Sequence, residues 1–300
     1  MTALRDLLEL VRAPAALSVP GDVAAGAAAG RALGPRTLGL ACSSVCLYWA
    51  GMAANDWADR HLDAVERPER PIPSGRVSPG TALGVAAGLT AAGLAAAALA
   101  GGRRAMAVAV PLAGAIWAYD LVAKNTRAGP LAMAVCRGLD VLLGATPAPR
   151  TPAREPGAGL RGPLPAALTV AAHTYLLTHL SRGETSGTAR HRPAATLAGT
   201  LALAATTACS PFGQNTGTPS RTRTGAVLAT WYASQFGTPQ AKAIADPSAQ
   251  QVRAAVTAGI VSLPALQGAL LAGAGAPRTG LALAAVIPLA RRLARKLSPT

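Results

Sequence analysis

Long apolar runs broken by short polar loops set the pattern of this chain. A bilayer's hydrocarbon core, about 30 Å thick, needs roughly 20 mostly apolar residues per helix. The runs at 15–33, 37–54, 80–100, 105–121, 128–147, 164–180, 192–210, 252–272 and 278–297 approach or meet that length with few charges. A further run, 225–243, is only moderately apolar. The pattern therefore predicts an all-α, polytopic transmembrane bundle of nine or ten helices around a central cavity, one domain over 1–300. Ahead of the spans, residues 1–14 predict a short amphipathic helix with Leu4, Leu7, Leu8 and Val11 on one side, and no convincing cleavage site follows it. Glycines add local expectations. Gly26 and Gly30, and again Gly80, Gly84 and Gly88, stand at four-residue spacing, a stripe that lets helices approach closely. Gly101-Gly102-Arg103-Arg104 predicts a tight turn.

Counting spans assigns sides. The polar loops at 55–79, 122–128 and 181–191 are separated by even numbers of crossings, so all three lie on one face. If 225–243 also crosses, Lys242, Arg253 and the tail Arg291, Arg292, Arg295 and Lys296 join that face. Arg103, Arg104, Arg150 and Arg161 stand on the other side in either count. The positive-inside rule then favours ten spans in the plasma membrane, with the motif loops cytoplasmic. The formal charge of +15 raises nucleic acid as a partner, but no basic run interleaved with aromatics exists. Contact with anionic lipid headgroups explains the charge better. The cysteines, Cys42, Cys46, Cys136 and Cys209, lie in apolar runs with no histidine to complete a zinc set, and read as small packing residues.

The candidate chemistry begins at Asn55-Asp56-Trp57-Ala58-Asp59-Arg60-His61-Leu62-Asp63. As helix, Asp56, Asp59 and Asp63 fall at i, i+3 and i+7, so three carboxylates share one narrow face and repel unless positive charge sits among them. A hard divalent cation such as Mg²⁺, held with substrate phosphates, is one occupant. Local pairing with Arg60, Arg67 and Arg70 is the other. Facing this motif, Lys124 and Arg127 occupy the next loop of the same face. A cavity capped by carboxylates and cations suits a ligand that is greasy at one end and polyanionic at the other, as an isoprenoid diphosphate is. Mg²⁺ with Lys124 and Arg127 would neutralise the departing diphosphate, while apolar helices exclude water from the allylic cation.

The stretch from Asn55 to Asp63, followed by Arg67-Pro68-x-Arg70-Pro71-Ile72-Pro73-Ser74-Gly75, resembles the first aspartate-rich motif of the UbiA family of intramembrane prenyltransferases. Tyr119-Asp120-x-x-x-Lys124 is similar to that family's Tyr…Lys loop. The resemblance implies Mg²⁺-dependent transfer of a prenyl group from a diphosphate donor to an aromatic or other lipophilic acceptor. It implies that Asn55, Asp56, Asp59 and Asp63 bind Mg²⁺-diphosphate and that Asp56, Asp59 and Lys124 form the catalytic centre, with Lys124 on the diphosphate. The family's second aspartate motif, after the sixth helix, is here Ser181-Arg182-Gly183-Glu184, without aspartate. Glu184 would replace one metal ligand and Arg182 would supply positive charge, a version that resembles the UbiA-like branch found with Ebo-type gene clusters. Asp56, Asp59 and Glu184 are then expected to face one cavity, with Lys124 or Arg182 at its rim. A non-catalytic isoprenoid- or lipid-binding protein is the alternative this departure opens.

Within the spans, Arg137 and Asp140 read either as an i, i+3 ion pair or as cavity groups beside the diphosphate. Asp22 reads as a helix-start residue or an acceptor-side group. His173 and His179 stand on faces too different for a joint site, and His179 is a candidate to assist acceptor deprotonation. Tyr119 is an interface anchor or a cavity wall. An inverted repeat and broken half-helices, the marks of a transporter, are not evident.

Overall fold

The computed structural model describes residues 2–147, 162–209 and 219–285, and every described element is helical. The amphipathic start is α1 (Thr2–Leu10), followed by a 3-10 segment (Ala13–Ser18) and α2 (Pro20–Ala29). Then come α3 (Pro35–Ala58), α4 (Arg60–Glu66) and α5 (Pro79–Ala118), whose end passes into a π-helical turn (Tyr119–Ala123). The second half comprises α6 (Gly129–Gly144), α7 (Pro163–Ser181), α8 (His191–Cys209), α9 (Pro219–Ala245) and α10 (Ala249–Gly273). A final helix, α11, is described over 277–285. Proline stands in the first turn of α2, α3, α5, α6 and α7, where its missing N–H costs nothing.

The expected turn at Gly101–Arg104 is a reversal inside α5 centred on Gly102, at φ 62° and ψ −149°. That backbone region is open essentially to glycine alone. One end of the bundle gathers the polar loops. Lys124 Nζ lies 2.7 Å from Asp59, and Arg182 donates to the Thr126 carbonyl. The Thr188 N–H donates to Pro247 O at 3.0 Å, and Arg253 donates to Glu184 O at 2.7 Å. The joins α3–α4, α5–α6, α7–α8 and α9–α10 therefore share one end, as the parity of the spans predicts. The α9–α10 join reaches that end only because α9 traverses the bundle. Its 27 residues give a helix of about 40 Å, and nine successive passes run through the described residues, with α11 beginning another.

Three stretches among the described residues are long and apolar enough to cross a membrane by length and composition: Pro35–Ala58, Pro79–Ala123 (two passes) and Ala249–Gly273. The pass through α2 is short, ten residues of helix after the 3-10 segment. Residues 148–161, 210–218 and 286–300, with Arg150, Arg161, Arg291, Arg292, Arg295 and Lys296, lie outside the described residues.

Packing follows small residues, though not all those expected. Gly26 meets the Val141 backbone and Gly30 meets Ala145, so the α2 stripe lies directly on α6. The expected stripe of Gly80, Gly84 and Gly88 makes no such approach: Gly84 and Gly88 face open space, and Gly80 comes near only Ser78. The face of α5 that meets α3 is Ala82, Ala86, Gly93 and Ala97, all buried, with Gly93 against Leu47. Both stripes are apolar and small, and spacing alone does not say which one a neighbouring helix covers. The N-terminal helix also differs in detail. Leu10 and Val11 are buried, while Leu4 and Leu8 point outward. Among the cysteines, Cys136 is buried in the core, whereas Cys42 and Cys209 are exposed.

Candidate active site

The motif begins inside α3 and continues past its end. Asn55 and Asp56 lie in the last turn, Asp59 caps the helix, and Asp63 stands in α4. Backbone bonds from Asp59 N to Asn55 O and from Asp63 N to Asp59 O, 2.9 and 2.8 Å, carry a helical path through the junction. The carboxylates therefore keep close to the expected face, but each takes its own cation. Arg70 Nη1 lies 2.6 Å from Asp63 and 3.4 Å from Asp56, and Arg12 Nη2 lies 2.8 Å from Asp56. Lys124 Nζ sits 2.7 Å from Asp59 and donates to Asn55 Oδ1 at 3.0 Å. Of the local arginines proposed as partners, Arg70 takes that role. Arg60 instead bonds the Trp57 carbonyl and stacks over its ring at 4.8 Å.

Arg12 was not legible as a site residue. It ends the amphipathic helix in a left-handed conformation, φ 49° and ψ 50°, which costs a non-glycine residue about 1–2 kcal/mol. Behind it, α1 is tied to the motif loop by Arg76, which bonds Asp6 at 2.6 Å and Glu9 at 2.8 and 2.9 Å. The hydrogen bond from Arg76 holds the Glu9 carboxyl below its ordinary value.

One helical turn before Asn55, α3 enters the wall of a cavity of about 70 Å³. Its walls are mostly apolar (Leu47, Met52, Leu112 and Ile116 among them), with Tyr48, Tyr119, Asp120, Ser44, Arg137 and Asp140 as polar exceptions. Tyr119 is thus a cavity wall. Asp56, Asp59 and Glu184 do not line this cavity, and no group of three or more metal-binding side chains gathers among the described residues. The motif stands at the cavity's end, and the Tyr119–Lys124 turn bridges the two.

Arg137 does not pair with Asp140. Its Nε lies 2.8 Å from the fully buried Asp22, which also accepts from Gln267 at 2.7 Å. Asp140 accepts the Ser44 hydroxyl at 2.5 Å. Helix spacing allowed the local pair, but α2 brings Asp22 to the other side of Arg137. Asp22 is accordingly a buried ion-pair partner fixing α2 to α6 and α10.

The remaining candidates separate. Arg127 is exposed in its loop, and Arg182 secures that loop through Thr126. Glu184 is half-buried beside Arg253, and burial pushes its carboxyl up against the opposing pull of that arginine. His173 is buried with Nδ1 2.9 Å from the Tyr232 hydroxyl, whereas His179 stacks on Tyr175, so the two share no site. In the sequence Asp120 is only a letter of the Tyr…Lys pattern, yet it is the carboxylate in the cavity wall nearest the motif. An ionisable residue closing an apolar run is the signal that could have singled it out.

An all-helical bundle with an aspartate-capped cavity defines the class, and comparison with known proteins agrees. The UbiA prenyltransferase family matches over residues 17–182, and the chain belongs to that family. Among curated relatives, the digeranylgeranylglyceryl phosphate synthase of Natronomonas pharaonis is 41% identical over 85 residues, 28% of this chain and 31% of that protein. The bacteriochlorophyll synthase 33 kDa chain of Rhodobacter capsulatus is 50% identical over 40 residues, 13% of each. The chain thus aligns with about a third of the length of the curated relatives it matches first. Likeness to solved structures is broader. A UbiA homolog from Archaeoglobus fulgidus bound to GPP and Mg²⁺ superposes with a TM-score of 0.62 at 16% identity, covering 93% of this chain and 99% of that one. A digeranylgeranylglyceryl phosphate synthase structure gives 0.64 at 15%, covering 91% and 99%. These two show the shared fold.

Proposed function

We propose that this protein is an integral membrane prenyltransferase that moves a prenyl group from an isoprenoid diphosphate to a lipophilic acceptor, with Mg²⁺ and with the donor held at the α3 motif. The observation that carries this reading is the charge balance at the cavity's end. Asp56, Asp59 and Asp63 are each matched by Arg12, Arg70 or Lys124, leaving little net charge to attract a free cation or a free anion. A cation arriving with a polyanion suits such a set: the carboxylates turn to the metal while the guanidinium and ammonium groups turn to phosphate oxygens. The same two ligands, GPP and Mg²⁺, occupy the Archaeoglobus homolog.

The donor set fits the metal. Asn55, Asp56 and Asp59 offer hard oxygens within about one turn, which suits Mg²⁺ bound by one or two carboxylates plus phosphate. Asp63, 2.6 Å from Arg70, holds that arginine toward the donor. Arg127 and Arg182 would add positive charge from the neighbouring loops, while Glu184 stands beside Arg253 and is left out of the metal set. When bound, the metal supplies charge stabilisation to the departing diphosphate. Lys124 adds its own charge there, and the apolar walls from Leu47 to Ile116 keep water from the allylic carbon. The names of the relatives suggest two acceptor types, a glycerol-phosphate lipid with a free hydroxyl and a tetrapyrrole.

Labelled geranyl or geranylgeranyl diphosphate, offered with Mg²⁺ and each acceptor type to the purified protein, tests the reading. Asp56→Asn or Asp59→Asn is expected to abolish transfer while leaving the thermal transition in place. Full activity in both variants would sink the site assignment. A wild-type protein that binds Mg²⁺-diphosphate but releases none against any acceptor would instead establish the non-catalytic isoprenoid-binding alternative.

A further inference from the structure

Asp120 is the carboxylate that the proposed donor site leaves unused. It is 2% exposed, and its Oδ1 has no hydrogen-bond partner among the described residues. Its Oδ2 lies against α3 at Gly51, 3.0 Å from where a Cβ would stand, so a larger residue there would crowd the carboxyl. The residue sits in the cavity wall together with Tyr119, Met52, Cys136 and Ile116. It also belongs to the π-helical turn closed by the bond from Lys124 N to Tyr119 O at 2.9 Å. Such turns are rare and frequently mark functional sites. One turn thus carries both a cation facing the motif and a buried carboxylate facing the apolar cavity.

We infer, on the prenyltransferase reading, that Asp120 is the base that takes the acceptor's proton. The donor's diphosphate would lie with Lys124 and the motif, so its first carbon would stand at the cavity end that Asp120 lines. There the bond from that carbon to the diphosphate oxygen breaks, its electron pair leaving with diphosphate. The acceptor's hydroxyl oxygen, or an activated ring carbon, forms the new bond to the same carbon. The proton it loses passes to Oδ1 of Asp120, which returns it to solvent as the products leave. An unpartnered, buried carboxylate oxygen is the group such a step needs, and the other carboxylate of the cavity wall, Asp140, is already engaged by the Ser44 hydroxyl. The charged and titratable groups around it are Lys124 and Tyr119 on its own turn, Asp56, Asp59 and Tyr48 on α3, Arg12 before α2, and Cys136 on α6.

The test uses the full chain in detergent, geranyl diphosphate with Mg²⁺, and whichever acceptor type the wild-type protein turns over. Asp120→Asn is expected to lower kcat by about 10²- to 10⁴-fold and to flatten the acid limb of the pH–rate profile. Binding of Mg²⁺ with geranyl diphosphate, read by calorimetry, should stay unchanged, and Asp120→Glu should recover part of the rate. Transfer within threefold of wild type in Asp120→Asn overturns the inference and leaves the prenyltransferase reading standing. Loss of Mg²⁺-dependent donor binding in step with the rate also overturns it, making Asp120 a donor-site ligand. If the wild-type protein transfers to neither acceptor type, the prenyltransferase reading fails, and the inference with it.

Discussion

Gly26 and Gly84 offer one chemical change with opposite expected signs. An alanine Cβ at Gly26 would stand 1.7 Å from the Val141 carbonyl oxygen, where contacts under 3.0 Å are essentially never seen. The obstacle is backbone, which cannot rotate aside, so α2 must retreat from α6 by about 1.3 Å, in the range where overpacking costs about 1–3 kcal/mol. The same retreat stretches the 2.8 Å Arg137–Asp22 pair and the Gln267 bond to Asp22. Leaving a buried charge without its partner costs about 3–5 kcal/mol, so a net loss on the order of 3 kcal/mol or more is expected for Gly26→Ala. Gly84 is a helix-interior glycine facing open space, and alanine there gains about 0.5–1 kcal/mol of helix propensity. Thermal unfolding in detergent, followed by tryptophan fluorescence, should place Gly26→Ala below wild type by roughly 5–10 °C and Gly84→Ala at or above it. A Gly26→Ala protein as stable as wild type would refute the direct backbone contact of α2 on α6.

Lys124→Met removes the cation that touches both Asp59 and Asn55; transfer should fall by about 10²- to 10³-fold, the usual loss for one positioned charge. Steady-state kinetics would read it, and a change under threefold would take Lys124 out of the donor site. The docking of α1 should depend on pH through Glu9, whose folded value lies below its ordinary 4.5 because Arg76 bonds it. An acid shifted down stabilises the folded arrangement above its unfolded value and loses that contribution as pH falls through the folded one. Hydrogen exchange over α1 should therefore quicken below about pH 4.5 in wild type and show a weaker pH response in Glu9→Gln.

Composition and apolar period were enough to establish a polytopic helical bundle, because a membrane admits few other structures for so apolar a chain. Loop parity placed the motif, the Lys124 loop and the 181–191 loop on one face, since each crossing must reverse the side. The Asp56–Asp59–Asp63 face was legible because helix spacing is a local property. Partners distant in sequence were not. Arg12 reaches Asp56 across 44 residues and Gln267 reaches Asp22 across 245, and neither spacing has a period that a sequence pattern can register. The choice between glycine stripes had the same character: α2 uses its stripe and α5 leaves Gly84 and Gly88 uncovered, which depends on where neighbouring helices lie. Tertiary structure also decided that each aspartate meets its own cation, that Arg137 turns to Asp22 and away from Asp140, and that Asp120 faces the cavity. Electrostatic pairing acts through space, so a single strand of sequence shows which charges exist but not which of them meet.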